Sequence, residues 1–229
     1  MIGTIASLTL ARLRRGRIVW AALGIAMIPV AAAAVLRGHF VHDPGSMIPS
    51  LYVPQLLVLA VLPALFVASS IGEEIEDRTI TYLWSRPLPR WHVIAGKLVA
   101  LAPVAIAISL TGWLLAVAID TGGLAPTRTI IGLAAAALAN SMIAAGIATI
   151  APKHGMALTI VYMLLFDLPI GEIPASLQSL SVTHQARIIA DIVVPGVAPE
   201  SAVSSAITMA VLATIWLAVG LWRIRRLEA

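Results

Sequence analysis

Two adjacent carboxylates and an arginine four residues further on, Glu73, Glu74 and Arg78, are the residues of this chain whose spacing most suggests chemistry. A glutamate pair can activate water, but it must share its site with histidines that bind a metal or steady an oxyanion. The five histidines, His39, His42, His92, His154 and His184, are scattered, and neither F-x-x-x-H nor H-x-x-x-N occurs. The chain has no cysteine, which excludes disulfides and thiolate metal sites. There is no G-x-x-x-x-G-K-[ST] phosphate loop, so the chain is not expected to bind or hydrolyse ATP through a Walker site. What surrounds the glutamates is charge: eight of the 26 charged side chains lie between Glu73 and Lys97, in a chain that is only 11% charged and 60% hydrophobic.

The elements that position this cluster follow from composition. A mean hydropathy of +0.98 over 229 residues is far above what a water-exposed surface tolerates, which implies an integral membrane protein. The net charge of +4 falls at the ends of apolar runs and forms no extended patch, so lipid headgroups fit it better than nucleic acid. A helix needs about 20 apolar residues to cross a bilayer core. Six runs meet that need or approach it, at residues 18–36, 51–71, 93–119, 130–151, 156–170 and 203–222. The fifth is the shortest and ends in LPIGEIP. Pro29, Pro54 and Pro63 fall inside runs and are expected to bend them, because neighbouring helices can satisfy the freed carbonyls. No soluble domain, long linker or internal repeat is evident, so 1–229 reads as one transmembrane domain. The basic cluster Arg12 to Arg17 precedes the first run with no small-residue cleavage site close behind, and that run is expected to be retained.

Basic residues set the orientation, because the cytoplasmic ends of short loops are enriched in them. With both termini cytoplasmic, twelve of the fifteen lysines and arginines fall on that side, and only Arg37, Arg128 and Arg187 fall outside. Residues 73–92 then form a cytoplasmic loop. Residues 171–201, with Leu177, Leu180, Ile188 and Ile192 among Pro174, Pro195 and Pro199, are expected to form short re-entrant helices on the outer side. Residues 1–17 are expected to form an interfacial helix with Ile2, Ile5, Leu8 and Leu13 toward the membrane and Arg12 and Arg15 away from it.

The loop opens with Glu73, Glu74, Glu76 and Asp77, then places Ile80, Leu83 and Trp84 at helical spacing with Tyr82 beside them. Pro87 and Pro89 end that helix. Arg90, Trp91 and Lys97 mark the start of the next run at headgroup level. Such an amphipathic elbow suits either docking into a groove on a soluble partner or lying on the membrane with solvated charges.

The stretch GEEIEDRTITYLWSRPLPRWHVIAGK resembles the loop of six-span permeases of type-2 ABC exporters. In that family an acidic segment, a turn, a short helix, an Arg-Pro step, a second Arg and a Lys opening the next span recur in this order. Glu74 or Glu76, Thr79, Leu83, Arg86, Pro87, Arg90 and Lys97 occupy those places, and Asp77-Arg78 stands where such proteins often carry a glycine. The motif covers under thirty residues, and the span count and basic N-terminal helix extend it across the chain. The resemblance implies an all-α membrane protein in which this loop is a coupling helix seated in a separate ATPase subunit. It assigns the ATPase contact to Glu74, Glu76, Thr79, Ile80, Leu83, Trp84, Arg86 and Arg90. It also implies two ATPase copies that hold ATP and magnesium, a second permease chain, identical or homologous, and a cytoplasmic-membrane location.

Two other classes stand beside this one. The EExxxR match resembles the first motif of CAAX-type intramembrane proteases, whose further histidine motifs are missing. A non-transporting scaffold is not excluded by the spans themselves. The spans hold almost no ionisable groups: Asp120 and Asp167 lie near outer ends, and Gln55, Asn140, Ser69, Ser70, Ser109 and Thr111 are the main polar residues. An ion carrier would be expected to hold charges in mid-membrane, so the pattern favours an apolar or amphipathic cargo. Asn140 and Ser109 are expected to make interhelical hydrogen bonds. The stripe Gly132, Ala136, Asn140 and Ala144 is expected to pack within the chain.

Overall fold

A backbone in hydrocarbon finds no water to bond, so apolar runs of this length close their hydrogen bonds internally as helices. The computed structural model describes residues 2–39, 48–76, 91–173, 176–192 and 201–226, and no strand occurs among them. Six helices are long and apolar enough to cross a membrane: Ile18–Gly38, Ile48–Ile75, Trp91–Thr121, Thr127–Ile150, Pro152–Glu172 and Ala202–Ile224. They match the six expected runs to within a few residues. Six crossings leave both ends of the chain on one side, the terminal face; the opposite side is the far face.

The second and fourth spans form the centre, about 72% and 67% buried, whereas the first, fifth and sixth are 28% or less and turn apolar side chains outward. Polar side chains tie the central spans together. Gln55 Nε2 on the second span donates to the Ser109 hydroxyl on the third at 2.8 Å. Trp113, fully buried, donates from Nε1 to the Thr129 hydroxyl at 3.2 Å and meets Tyr52 edge-on. Ser109 therefore plays the interhelical part expected of it.

Close crossings fall on small residues. A Cβ at Gly132 would come within 2.8 Å of the Ala186 carbonyl oxygen, so this part of the stripe packs inside the chain, as expected. The fourth and sixth spans approach at Gly146 and Gly220, and a Cβ at Gly146 would meet the Trp216 carbonyl oxygen at 2.5 Å. The first span breaks at Met27 into Ile18–Ala26 and Ile28–His39, two residues before Pro29. The third span crosses it there, with Gly112 against the Ala26 carbonyl.

The second span runs as Ile48–Pro63, a wide π-helical turn Ala64–Ala68, and Ser69–Glu76. Pro63 has no amide to offer the carbonyl four residues before it, that of Leu59. Asn140 Nδ2 of the fourth span donates to that carbonyl at 3.1 Å. The expectation that neighbours satisfy proline-freed carbonyls is met here by a named side chain. The fifth span carries a second wide turn, Tyr162–Asp167, and reaches Glu172.

On the far face the short helices expected from 171–201 are present as Ser176–Leu180 and Val182–Ile189. Asp167, buried, accepts from the backbone amides of Val182 at 2.7 Å and Thr183 at 3.0 Å, which satisfies the start of the second of these helices. Ser181 caps it by accepting from the His184 amide at 3.1 Å. Arg187 pairs with Glu172, and Arg128 with Asp191 at 2.6 Å. Leu177 and Leu180 stay exposed while the Val182–Ile189 helix is largely buried. Pro174, Pro195 and Pro199 lie outside the described residues.

Candidate functional site at the terminal face

The second span ends and the third begins at the terminal face, and the segment that joins them, 77–90, lies outside the described residues. Thr79, Ile80, Leu83, Trp84, Arg86 and Arg90 therefore lie there, and Glu76 is described as the last helical residue without its side chain. Glu74 is the one expected contact residue whose side chain is described. Its Oε1 lies 2.9 Å from Lys97 Nζ, with 25% of the glutamate and 1% of the lysine side chain exposed. Lys97 also donates to the Ser70 carbonyl.

This corrects the reading of Lys97 as a cation at headgroup level. Lys97 lies six residues into the third span, about 9 Å along a helix axis, and it turns inward between two helices. Separating such a pair leaves a charge unpartnered in a dry site, at a cost of about 3–5 kcal/mol. The sequence signal was that depth, together with a carboxylate near the end of the preceding span.

Glycines allow the helices to close around the pair. A Cβ at Gly72 would come within 2.5 Å of the Pro152 carbonyl oxygen. A Cβ at Gly96 would sit 2.9 Å from Ile5 Cβ and 3.2 Å from the Ile2 carbonyl. The N-terminal helix Ile2–Arg15 is thereby seated on the third span through Ile5. The expected membrane-facing set is corrected accordingly: Ile2, Ile5 and Leu13 are partly covered by protein, Ala6 is buried, and Leu8 is about two-thirds exposed.

Glu73 points away from Glu74. It pairs with Arg12 of the N-terminal helix at 3.2 Å, with both side chains more than half exposed. It also lines a groove of about 390 Å³ with Ser69, Lys153, His154 and Met156. The two glutamates are thus divided between different partners, one half-buried on Lys97 and one exposed on Arg12, and do not face one site as a water-activating pair must. His92 stacks on Trp91, and His184 is buried on the far face. No group of three or more metal-ligating His, Cys, Asp or Glu side chains occurs among the described residues.

The fold and this site define a multi-pass membrane protein whose second and third spans are clasped at their terminal-face ends. A family model described as ABC-2 family transporter protein matches residues 10–183, three-quarters of the chain. The chain belongs to that family, whose members form the membrane component of ABC transporters and imply an ABC ATPase partner. The matched range takes in the first five spans, the 73–92 loop and the start of the buried far-face helix. No curated protein matches the chain.

Proposed function

We propose that this chain is the permease subunit of an ATP-driven exporter, with both termini cytoplasmic, working as a pair of permeases above two ATPase subunits. The observation that carries the reading is the clasped base: the two helices that segment 77–90 joins are held together by buried Lys97 on Glu74, a rigid footing for a docking segment. Family membership supplies the ATPase class. Ile80, Leu83 and Trp84 then make the apolar contact with the ATPase, and Glu76, Arg86 and Arg90 orient it. Glu74 is reassigned in this proposal from partner contact to clasp.

The cargo is apolar or amphipathic. Among the described residues, the buried acidic and basic side chains Lys97, Asp120, Asp167, His184 and Arg187 all lie toward one face or the other, and none sits at mid-membrane as an ion relay requires. The outward apolar faces of the first, fifth and sixth spans suit contact with lipid and with a second permease. Truncating a buried interfacial aromatic costs on the order of 2 kcal/mol or more, against about 1 kcal/mol or less for an exposed charge. Trp84→Ala should therefore reduce ATPase co-purification and transport more than Glu76→Gln does. Equal, undiminished co-purification in a folded Trp84→Ala variant would remove the docking assignment.

A further inference from the structure

Segment Ser69–Glu76 packs against the third, fourth and fifth spans and the Pro152–His154 turn, with Ile71 buried beside Ala144 and Ala148, and its contacts with the third span and with the turn are of opposite kind. Toward the third span, Lys97 grips the Ser70 carbonyl and Glu74 with its side chain almost fully buried. A cation that dry does not leave such acceptors without a large desolvation penalty. Toward the Pro152–His154 turn the contact is backbone on backbone, because Gly72 brings no side chain against the Pro152 carbonyl. A locked side and a smooth side favour sliding past that turn over separation from the third span. Above the segment, the wide turn Ala64–Ala68 interrupts the α-helical ladder, a feature often found where helices serve a function. Above that turn, Asn140 fixes the Leu59 carbonyl to the fourth span.

We propose that Ser69–Glu76 and residues 91–97 form one lever, that Lys97 is the positioning residue that unites them, and that the lever pivots at Ala64–Ala68. Lys97 touches neither cargo nor nucleotide. It makes the two feet of segment 77–90 move together, so that a push on that segment turns the second span at its wide turn and does not spread the feet. The N-terminal helix rides on the lever through Ile5 against Gly96. The proposal rests on the docking of an ATPase at segment 77–90.

The cysteine-free chain accepts spin-label pairs that test it: Glu73→Cys with Trp91→Cys across the feet, and Leu57→Cys with Glu73→Cys across the wide turn. In the complex with the co-purified ATPase, a non-hydrolysable ATP analogue should change the 57–73 distance and leave the 73–91 distance fixed. In the ATPase complex that forms, Lys97→Met should free the 73–91 distance and lower transport per ATP hydrolysed roughly fivefold or more. Glu74→Gln should do the same to a smaller degree, and it carries the test if Lys97→Met fails to fold. A native 73–91 distance that moves as far as 57–73 overturns the lever. So does an unchanged transport-to-hydrolysis ratio in the folded variants, or the absence of nucleotide-dependent change in both distances. If no ATPase co-purifies with the native chain, the docking assignment fails and the lever falls with it.

Discussion

Asn140 of the fourth span donates to the carbonyl of Leu59, the one acceptor in the second span that Pro63 leaves without its amide. A bend in one helix is thereby made tolerable by a side chain 81 positions away, and the two residues should be energetically coupled. Asn140→Ala should lower thermal stability in detergent by about 1–2 kcal/mol. In a Pro63→Ala background the Leu59 carbonyl recovers a backbone donor, so the same substitution should cost less. A double-mutant cycle without coupling would remove this role.

Gly72 sets the spacing between the second span and the Pro152–His154 turn. Gly72→Ala would push a methyl group to within 2.5 Å of the Pro152 carbonyl oxygen, and overpacking of this kind costs about 1–3 kcal/mol. Gly24, whose added Cβ would meet nothing within 4 Å, is the control, and Gly24→Ala should leave the melting temperature unchanged or slightly raised.

Topology is open to direct labelling. Single cysteines at Ser85 and Thr127 should react from opposite sides of the membrane, with no native thiol to confuse the result. Reaction from the same side would contradict six crossings.

The far-face helix Val182–Ile189 depends on Asp167, whose carboxylate accepts its first free amides. Asp167→Ala should loosen that helix by about 1–2 kcal/mol and expose the bond after Arg187 to trypsin. In the native protein Arg187 is buried and paired with Glu172, so that bond should resist cleavage. Ready cleavage of native, transport-active protein would contradict the packed arrangement.

The six spans were legible because hydropathy over about 20 residues is a composition signal that needs no partner. Ser109 and Asn140 were legible for a related reason: a polar side chain in an apolar run must find a bond, and the nearest donors and acceptors are on other helices. Lys97 was misread because its position in sequence, shortly after Arg90 and Trp91, suits the membrane surface, and only the facing Glu74 shows that it turns inward. Ile2 and Ile5 were misread because an amphipathic helix has the same pattern whether its apolar side meets lipid or Gly96. The wide turns at Ala64–Ala68 and Tyr162–Asp167 left no trace in composition, since a π-helical turn is a matter of backbone register that the side chains ALFVA and YMLLFD do not declare.

That register carries a consequence for chain length. A wide turn absorbs one residue more than an α-helical turn while keeping the helices on either side in phase. A chain shortened by one residue within 64–68 could run through as continuous α-helix and still aim Glu74 at Lys97. The same deletion elsewhere in the span would rotate everything below it by about 100° and carry Glu74 to another side of the helix. The second span should therefore keep Glu74 on Lys97 after a single-residue deletion between Ala64 and Ala68, at the loss of its wide turn, whereas a deletion between that turn and Glu74 should break the pair.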